Sequence, residues 1–145
     1  MKQVLIVDKD HVFTTTLSAI LSREDYKVSI AKDGKEASGA LASTVFDLVI
    51  TDMIMPYANG FELVSNIRNN ESALHIPVMV VSDVTNEQNI AHCMRAGADV
   101  YFTKPVNIPD LISGIKDLIR NQKKCGCIMQ IPMHIYLYGA LFLFL

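Results

Sequence analysis

Cysteine is scarce in this chain. Cys93, Cys125 and Cys127 are the only three in 145 residues, an odd and irregularly spaced set. That is a poor disulfide framework, and it fits a reducing, cytoplasmic setting. An excess of charge of either sign is lacking too. The formal net charge is -2, with Lys, Arg, Asp and Glu mixed along most of the sequence. There is accordingly no broad basic face for nucleic acid and no acidic tail. The apolar stretch in the opening MKQVLIVDKD is too short for a signal-peptide core and reads as a first strand. No GxGxxG, GxxxxGKS/T or GxSxG string occurs, which argues against dinucleotide, P-loop and serine-hydrolase chemistry. His11, His75, His92 and His134 show no metal-ligand spacing with the cysteines, and no internal repeat is evident.

What is present is enough for one domain with one real core: 145 residues, 50% of them hydrophobic. Val4 to Val7 is a continuous apolar run, short enough for a strand buried on both faces. Asp10 can cap a helix carrying Phe13, Leu17, Ile20 and Leu21 on one side. Tyr26, Val28 and Ile30 alternate as a second strand, and Asp33-Gly34 opens a second helix. Phe46 to Thr51 reads as the third strand, Pro56 to Gly60 as a loop, and Phe61 to Ile67 as a third helix. A fourth strand is expected from Pro77 to Ser82. The helix that follows carries Ile90 and Met94 and stops at Gly97. Val100 to Phe102 makes a short fifth strand, and a last helix starts near Pro109. Strand and helix thus alternate five times, the pattern of an α/β parallel sheet with helices on both faces. In such sheets the working site lies at the carboxyl ends of the strands. Asp8, Asp52, Ser82 and Lys104 each fall at such an end.

Carboxylates gathered beside a hydroxyl and a lysine suit a divalent metal and a phosphoryl group. Mg²⁺ takes oxygen ligands, a carboxylate can act as nucleophile toward phosphorus, and lysine supplies a point charge for phosphoryl oxygens. The strings VLIVDKD, FDLVITDMIMPYANGFEL, IPVMVVSD and AGADVYFTKPV together resemble the receiver domains of two-component response regulators, over about residues 2–121. The resemblance implies a flavodoxin-like (βα)5 doubly wound sheet with strand order 2-1-3-4-5, in a signalling module and not an enzyme. It further implies that Asp52 is the phosphoacceptor and that Asp8, Asp52 and the backbone carbonyl of Ile54 hold Mg²⁺. Ser82 would be the switch hydroxyl and Tyr101 the switch aromatic. Lys104 would be the phosphate-pairing lysine, with a cis peptide to Pro105. The implied partners are a sensor histidine kinase or phosphotransfer protein upstream and a protein target downstream, without nucleic acid.

Two residues depart from that pattern. Receivers carry two adjacent acids after the first strand, whereas here Lys9 follows Asp8. Losing one carboxylate should weaken Mg²⁺ binding; alternatively Lys9 pairs with Asp52 and stands in for part of the metal's charge, or it simply points to solvent. Asp83, after Ser82, stands where a small residue is usual and would repel a phosphodonor if it faced the pocket, although an outward orientation is favoured. Ile54 and Val84, each two residues beyond a site residue, should hinder water and slow the loss of an acyl phosphate. The competing reading is a degenerate receiver, a phosphorylation-independent interaction module disabled by Lys9.

Residues 1–122 would form this domain. Residues 123–145 form an apolar tail, without Asp, Glu, Lys or Arg from Cys125 onward. Its uncharged part is at the lower limit of the roughly 20 residues of a membrane span. A membrane anchor, a segment packed on a partner and a non-native extension are the three readings, and the abrupt change of composition favours the last. Cys125 and Cys127 could bind metal or be acylated, but a chance pair is the simpler reading.

Overall fold

The structure is a computed structural model that describes residues 1–57 and 59–121. The expected boundary at residue 122 and the tail with Cys125, Cys127 and His134 lie outside the described residues. Five apolar runs form the strands β1 (Lys2–Val7), β2 (Tyr26–Ala31), β3 (Leu48–Thr51), β4 (Val78–Ser82) and β5 (Val100–Thr103). They pair in parallel, in the order β2-β1-β3-β4-β5. Between and after them run α1 (His11–Arg23), α2 (Gly34–Ser43), α3 (Gly60–Arg68), α4 (Glu87–Ala96) and α5 (Ile108–Asn121). This is the flavodoxin-like order that the family resemblance implies.

Each helix start is set by a side-chain acceptor taking up backbone N–H groups that have no partner within the helix. Asp10, Asp33, Asn59 and Asn86 do this for α1 to α4. Asn107 Oδ1 accepts from the Asp110 amide at the start of α5. Gly97 ends α4 with φ +123°, a conformation that side chains resist.

Side chains alternate across the sheet and so divide the core in two. Leu5, Val7, Val49, Val80 and Tyr101 pack with Leu63, Val64, Ile67, Ile90 and Cys93 of α3 and α4. Val4, Ile6, Ile50, Val81 and Phe102 pack on the opposite face with Leu17 and Leu21 of α1 and Leu111, Ile115 and Leu118 of α5. Val4 to Val7 and Val78 to Val81 are fully buried, because helices cover both faces of the sheet. Burying each such side chain is worth roughly 1.5–3 kcal/mol.

Two strands start later than the sequence expectation. The third strand begins at Leu48, not Phe46: Phe46 is buried outside the ladder, while Asp47 takes the Gln3 amide on its carboxylate at 2.8 Å. The fourth begins at Val78, because Pro77 has no N–H to give and contributes only its carbonyl, to the Val49 amide.

Candidate functional site

The carboxyl ends of β1, β3, β4 and β5 lie side by side, and there the chain leaves four polar residues. Asp8, Asp52 and Ser82 are all buried, and a parallel strand end hidden beneath loops is where buried polar groups must find partners. Lys104 supplies two of them. Its Nζ donates to Asp8 Oδ2 at 2.8 Å and to Asp52 Oδ2 at 3.3 Å. The second oxygen of each acid takes a nearby amide: Asp10 N to Asp8 Oδ1 at 2.9 Å, and Ile54 N to Asp52 Oδ1 at 3.2 Å. The Lys104 backbone is itself tied to β4, its N–H donating to the Ser82 carbonyl at 2.9 Å. The peptide between Lys104 and Pro105 is cis.

The electrostatics follow from this crowding. Burial raises the Asp8 pKa above its ordinary value, and the Asp52 charge adds to that, against the pull of Lys104 and the Asp10 amide. For Lys104 burial acts to lower the pKa, but the hydrogen bonds and charges of Asp8 and Asp52 outweigh it and the pKa is raised. Two carboxylates facing one ammonium leave negative charge uncompensated. Such a donor set fits Mg²⁺, which is usually held by one or two carboxylates and completes its shell with water and substrate oxygens.

Ser82 and Tyr101 meet through the loop after β4. Ser82 Oγ accepts from the Val84 amide at 3.2 Å, and the Tyr101 hydroxyl donates to the Val84 carbonyl at 2.6 Å. Tyr101 is buried, which pushes its phenol up to about 12. Lys9 and Asp83 are exposed. Among the described residues Lys9 forms no ion pair within 4.0 Å; the ammonium on Asp52 belongs to Lys104. Asp10 is occupied in capping α1, accepting from the Val12 and Phe13 amides.

Beside this site lies a cavity of about 450 Å³ lined by Met53, Ile54, Phe61, Val84 and His92 among others, with Ile54 half exposed at 53%. Two residues that sequence reasoning did not assign to the site also touch it. Gly60 opens α3 directly against the backbone of Asp52 and Met53, and its amide donates to the Met53 carbonyl at 2.9 Å. Phe13 lies under Lys104, with the ammonium 4.6 Å from the ring centroid. In the sequence Gly60 carries only a turn signal and Phe13 only the apolar period of a helix, so neither pattern points to a site.

Residues 4–116 match the family model described as the response regulator receiver domain. The response regulator ArlR of Staphylococcus aureus strain USA300 is 30% identical over 122 residues, covering 84% of this chain and 54% of that protein. ArlR of Staphylococcus saprophyticus is 29% identical over the same coverage. The chain thus spans about half the length of the curated relatives it matches. Among solved structures, a CheY-like response regulator receiver domain protein from Methanospirillum hungatei JF-1 superposes with a TM-score of 0.82 at 31% identity, covering 87% of this chain and 99% of that one. The chemotaxis response regulator CheY4 of Vibrio cholerae gives 0.77 at 28% identity, covering 81% and 98%. With this fold, these strand-end residues and a family match over most of its length, the chain belongs to the response-regulator receiver domains of two-component signalling.

Proposed function

We propose that Asp52 is a phosphoacceptor and that the domain passes on its phosphorylation state through a protein-binding face. The observation that carries this reading is the Lys104 ammonium held between two buried carboxylates, at 2.8 and 3.3 Å. An oxygen of the Asp52 carboxylate attacks the phosphorus of a phosphohistidine on a histidine kinase or phosphotransfer protein. A P–O bond forms, the P–N bond breaks, and the imidazole nitrogen keeps the electron pair. Asp8, Asp52 and the Ile54 carbonyl would hold Mg²⁺, which supplies positive charge to the phosphoryl oxygens.

Lys104 then pairs with the phosphoryl group as a charged donor already in position. Ser82 is within one loop of the same place. Swinging its side chain toward a phosphoryl oxygen, to which its O–H would donate, moves the Oγ that accepts from the Val84 amide, and Val84 is also the partner of Tyr101. Phosphorylation is thereby linked to the conformation of the loop between β4 and α4, and to the surface of α4, β5 and α5 that a downstream protein would read. Ile54 and Val84 at the mouth slow the approach of water to the acyl phosphate. A cytoplasmic location goes with this reading. Among the described residues no helix is long and apolar enough to cross a membrane.

The test is intact-mass spectrometry after incubation with acetyl phosphate, with and without Mg²⁺, beside Asp52→Asn. One phosphoryl group gained only by the parent and only with Mg²⁺ is the expected result. No gain by a folded sample would favour the phosphorylation-independent module, for which Lys9 after β1 is the supporting feature.

A further inference from the structure

The Lys104 ammonium has three N–H groups, and the two carboxylates account for only two of them. The aromatic face of Phe13 covers it as well, 4.6 Å from Nζ to the ring centroid, and leaves the side chain 13% exposed. A cation over an aromatic face is attracted by the ring quadrupole, more strongly where water is excluded.

The placement of that ring starts from the acid itself. Asp8 Oδ1 accepts from the Asp10 amide, and Asp10 Oδ1 accepts from the Phe13 amide at 3.2 Å while capping α1. Asp8 Oδ2 takes the ammonium that lies over the Phe13 ring. Asp8, Asp10, Phe13 and Lys104 therefore form a closed circuit in which each member fixes the next.

We propose that Phe13 is a positioning residue, whose ring face holds the Lys104 ammonium over the Asp8–Asp52 pair and keeps water from it, so that the lysine is in place before a phosphoryl group arrives. Lysine is flexible and strongly hydrated, and a lysine that must first be ordered and dehydrated stabilises the transferring group less than one already set. The geometry stands by itself; the consequence for phosphoryl transfer rests on Asp52 being the phosphoacceptor.

The competing account is that Phe13 only fills space, since it also packs against the core under α1 and α5. Leucine would serve that purpose nearly as well but has no ring face, whereas tyrosine keeps the face. The first readout is therefore spectroscopic and needs no phosphoryl transfer. In proton NMR of the full chain the Lys104 ε-methylene protons should be shifted upfield by the ring current. Phe13→Leu should abolish that shift and Phe13→Tyr should retain it. Asp10→Ala, which frees the first turn of α1, should reduce the shift, and Asp10→Asn, which still caps, should preserve it. Lys104 protons unchanged in Phe13→Leu would overturn the placement.

The second readout is the limiting rate of labelling by acetyl phosphate with Mg²⁺. A cation–π contact of ordinary strength corresponds to between about twofold and thirtyfold in rate. Phe13→Leu should lose about that much, at an unchanged half-saturating concentration, and Phe13→Tyr should restore the rate to within about twofold on the same scale. Equal rates in a folded Phe13→Leu protein would overturn the positioning role even where the ring-current shift is lost. If the parent itself takes no phosphoryl group, the phosphoacceptor reading fails, and the NMR result still decides whether the ring holds the lysine.

Discussion

Replacing Arg68 by methionine should lower the melting temperature by about 10 °C, although the residue lies at the opposite edge of the sheet from Asp52. Arg68 ends α3 and reaches four groups. Its Nε donates to the Gly97 carbonyl at 3.0 Å, and Nη1 donates to the carbonyls of Leu74 at 3.0 Å and Ile76 at 2.6 Å. Nη2 donates to Asp99 Oδ2 at 2.9 Å, an oxygen that also takes the Val78 amide at 2.7 Å. One side chain therefore joins the end of α3, the segment before β4, the end of α4 and the start of β5. Gly97 leaves room for it: a Cβ there would lie 2.6 Å from Arg68 Cγ.

Methionine keeps much of the apolar stem and removes the guanidinium. Hydrogen bonds to charged groups are worth roughly 1.5–3 kcal/mol each. The exposed Leu74 carbonyl regains water and counts for little. The Asp99 pair, with side chains 22% and 24% exposed, is discounted for screening. At the low end of that range the Ile76 and Gly97 carbonyls give about 3 kcal/mol and the screened pair adds little, near 10 °C in a domain of this size.

The pH dependence fixes the sign of the reasoning. Burial raises the Asp99 pKa above 3.8, against the Val78 amide and Arg68. A carboxylate with a raised folded value contributes stability that is complete below the unfolded pKa and is lost as pH rises through the folded one. Without Arg68 that folded value climbs further, so the deficit of Arg68→Met should widen as pH rises from below 3.8 toward neutrality. Thermal unfolding followed by circular dichroism across that range measures it. A deficit that narrows with pH, or a loss under about 3 °C, would refute the argument.

Gly60→Ala should be destabilising by about 1–3 kcal/mol, since its Cβ would overlap the Asp52 carbonyl oxygen and lie 2.8 Å from Met53 Cα. It should also impair labelling of Asp52, checked by thermal melting and intact mass; a native melt with native labelling would contradict it. Lys9→Asp, on an exposed position next to Asp8, should tighten Mg²⁺ binding on the order of tenfold by removing one positive charge and adding one negative. Calorimetric titration checks it, and an unchanged affinity would mean that Lys9 is not what sets it.

The fold was largely legible because strands covered on both faces read as unbroken apolar runs, and because Asp10 and Asp33 announce the helices they cap. The convergence of Asp8, Asp52 and Lys104 was legible for a related reason: in a parallel sheet every strand end faces the same edge. Contacts made across the fold were not legible. Arg68 and Asp99 are 31 residues apart, and neither lies in a pattern that points to the other. Phe13 keeps the apolar period of α1 whether or not a lysine rests on its face. Strand starts were misjudged where a side-chain bond across the sheet intervened, as with Asp47 taking the Gln3 amide ahead of Leu48.

The charge at the strand ends bears on both functional readings. Two buried acids and one lysine sum to about -1, and a phosphoryl group on Asp52 would exchange a single negative charge for roughly two. Lys104 is already engaged by both acids and cannot neutralise that increase alone. A second cation must come from solution, or from Lys9 turning inward on its four-carbon stem. Among the described residues Lys9 is exposed and Asp52 pairs only with Lys104, an arrangement that leaves the missing charge to be supplied from outside. A phosphoacceptor of this kind would stay dependent on Mg²⁺ despite Lys9. An interaction module indifferent to phosphorylation needs only that Lys9 stand where a metal-binding acid would, wherever its side chain points, so Mg²⁺-dependent labelling of Asp52 is what separates the two readings.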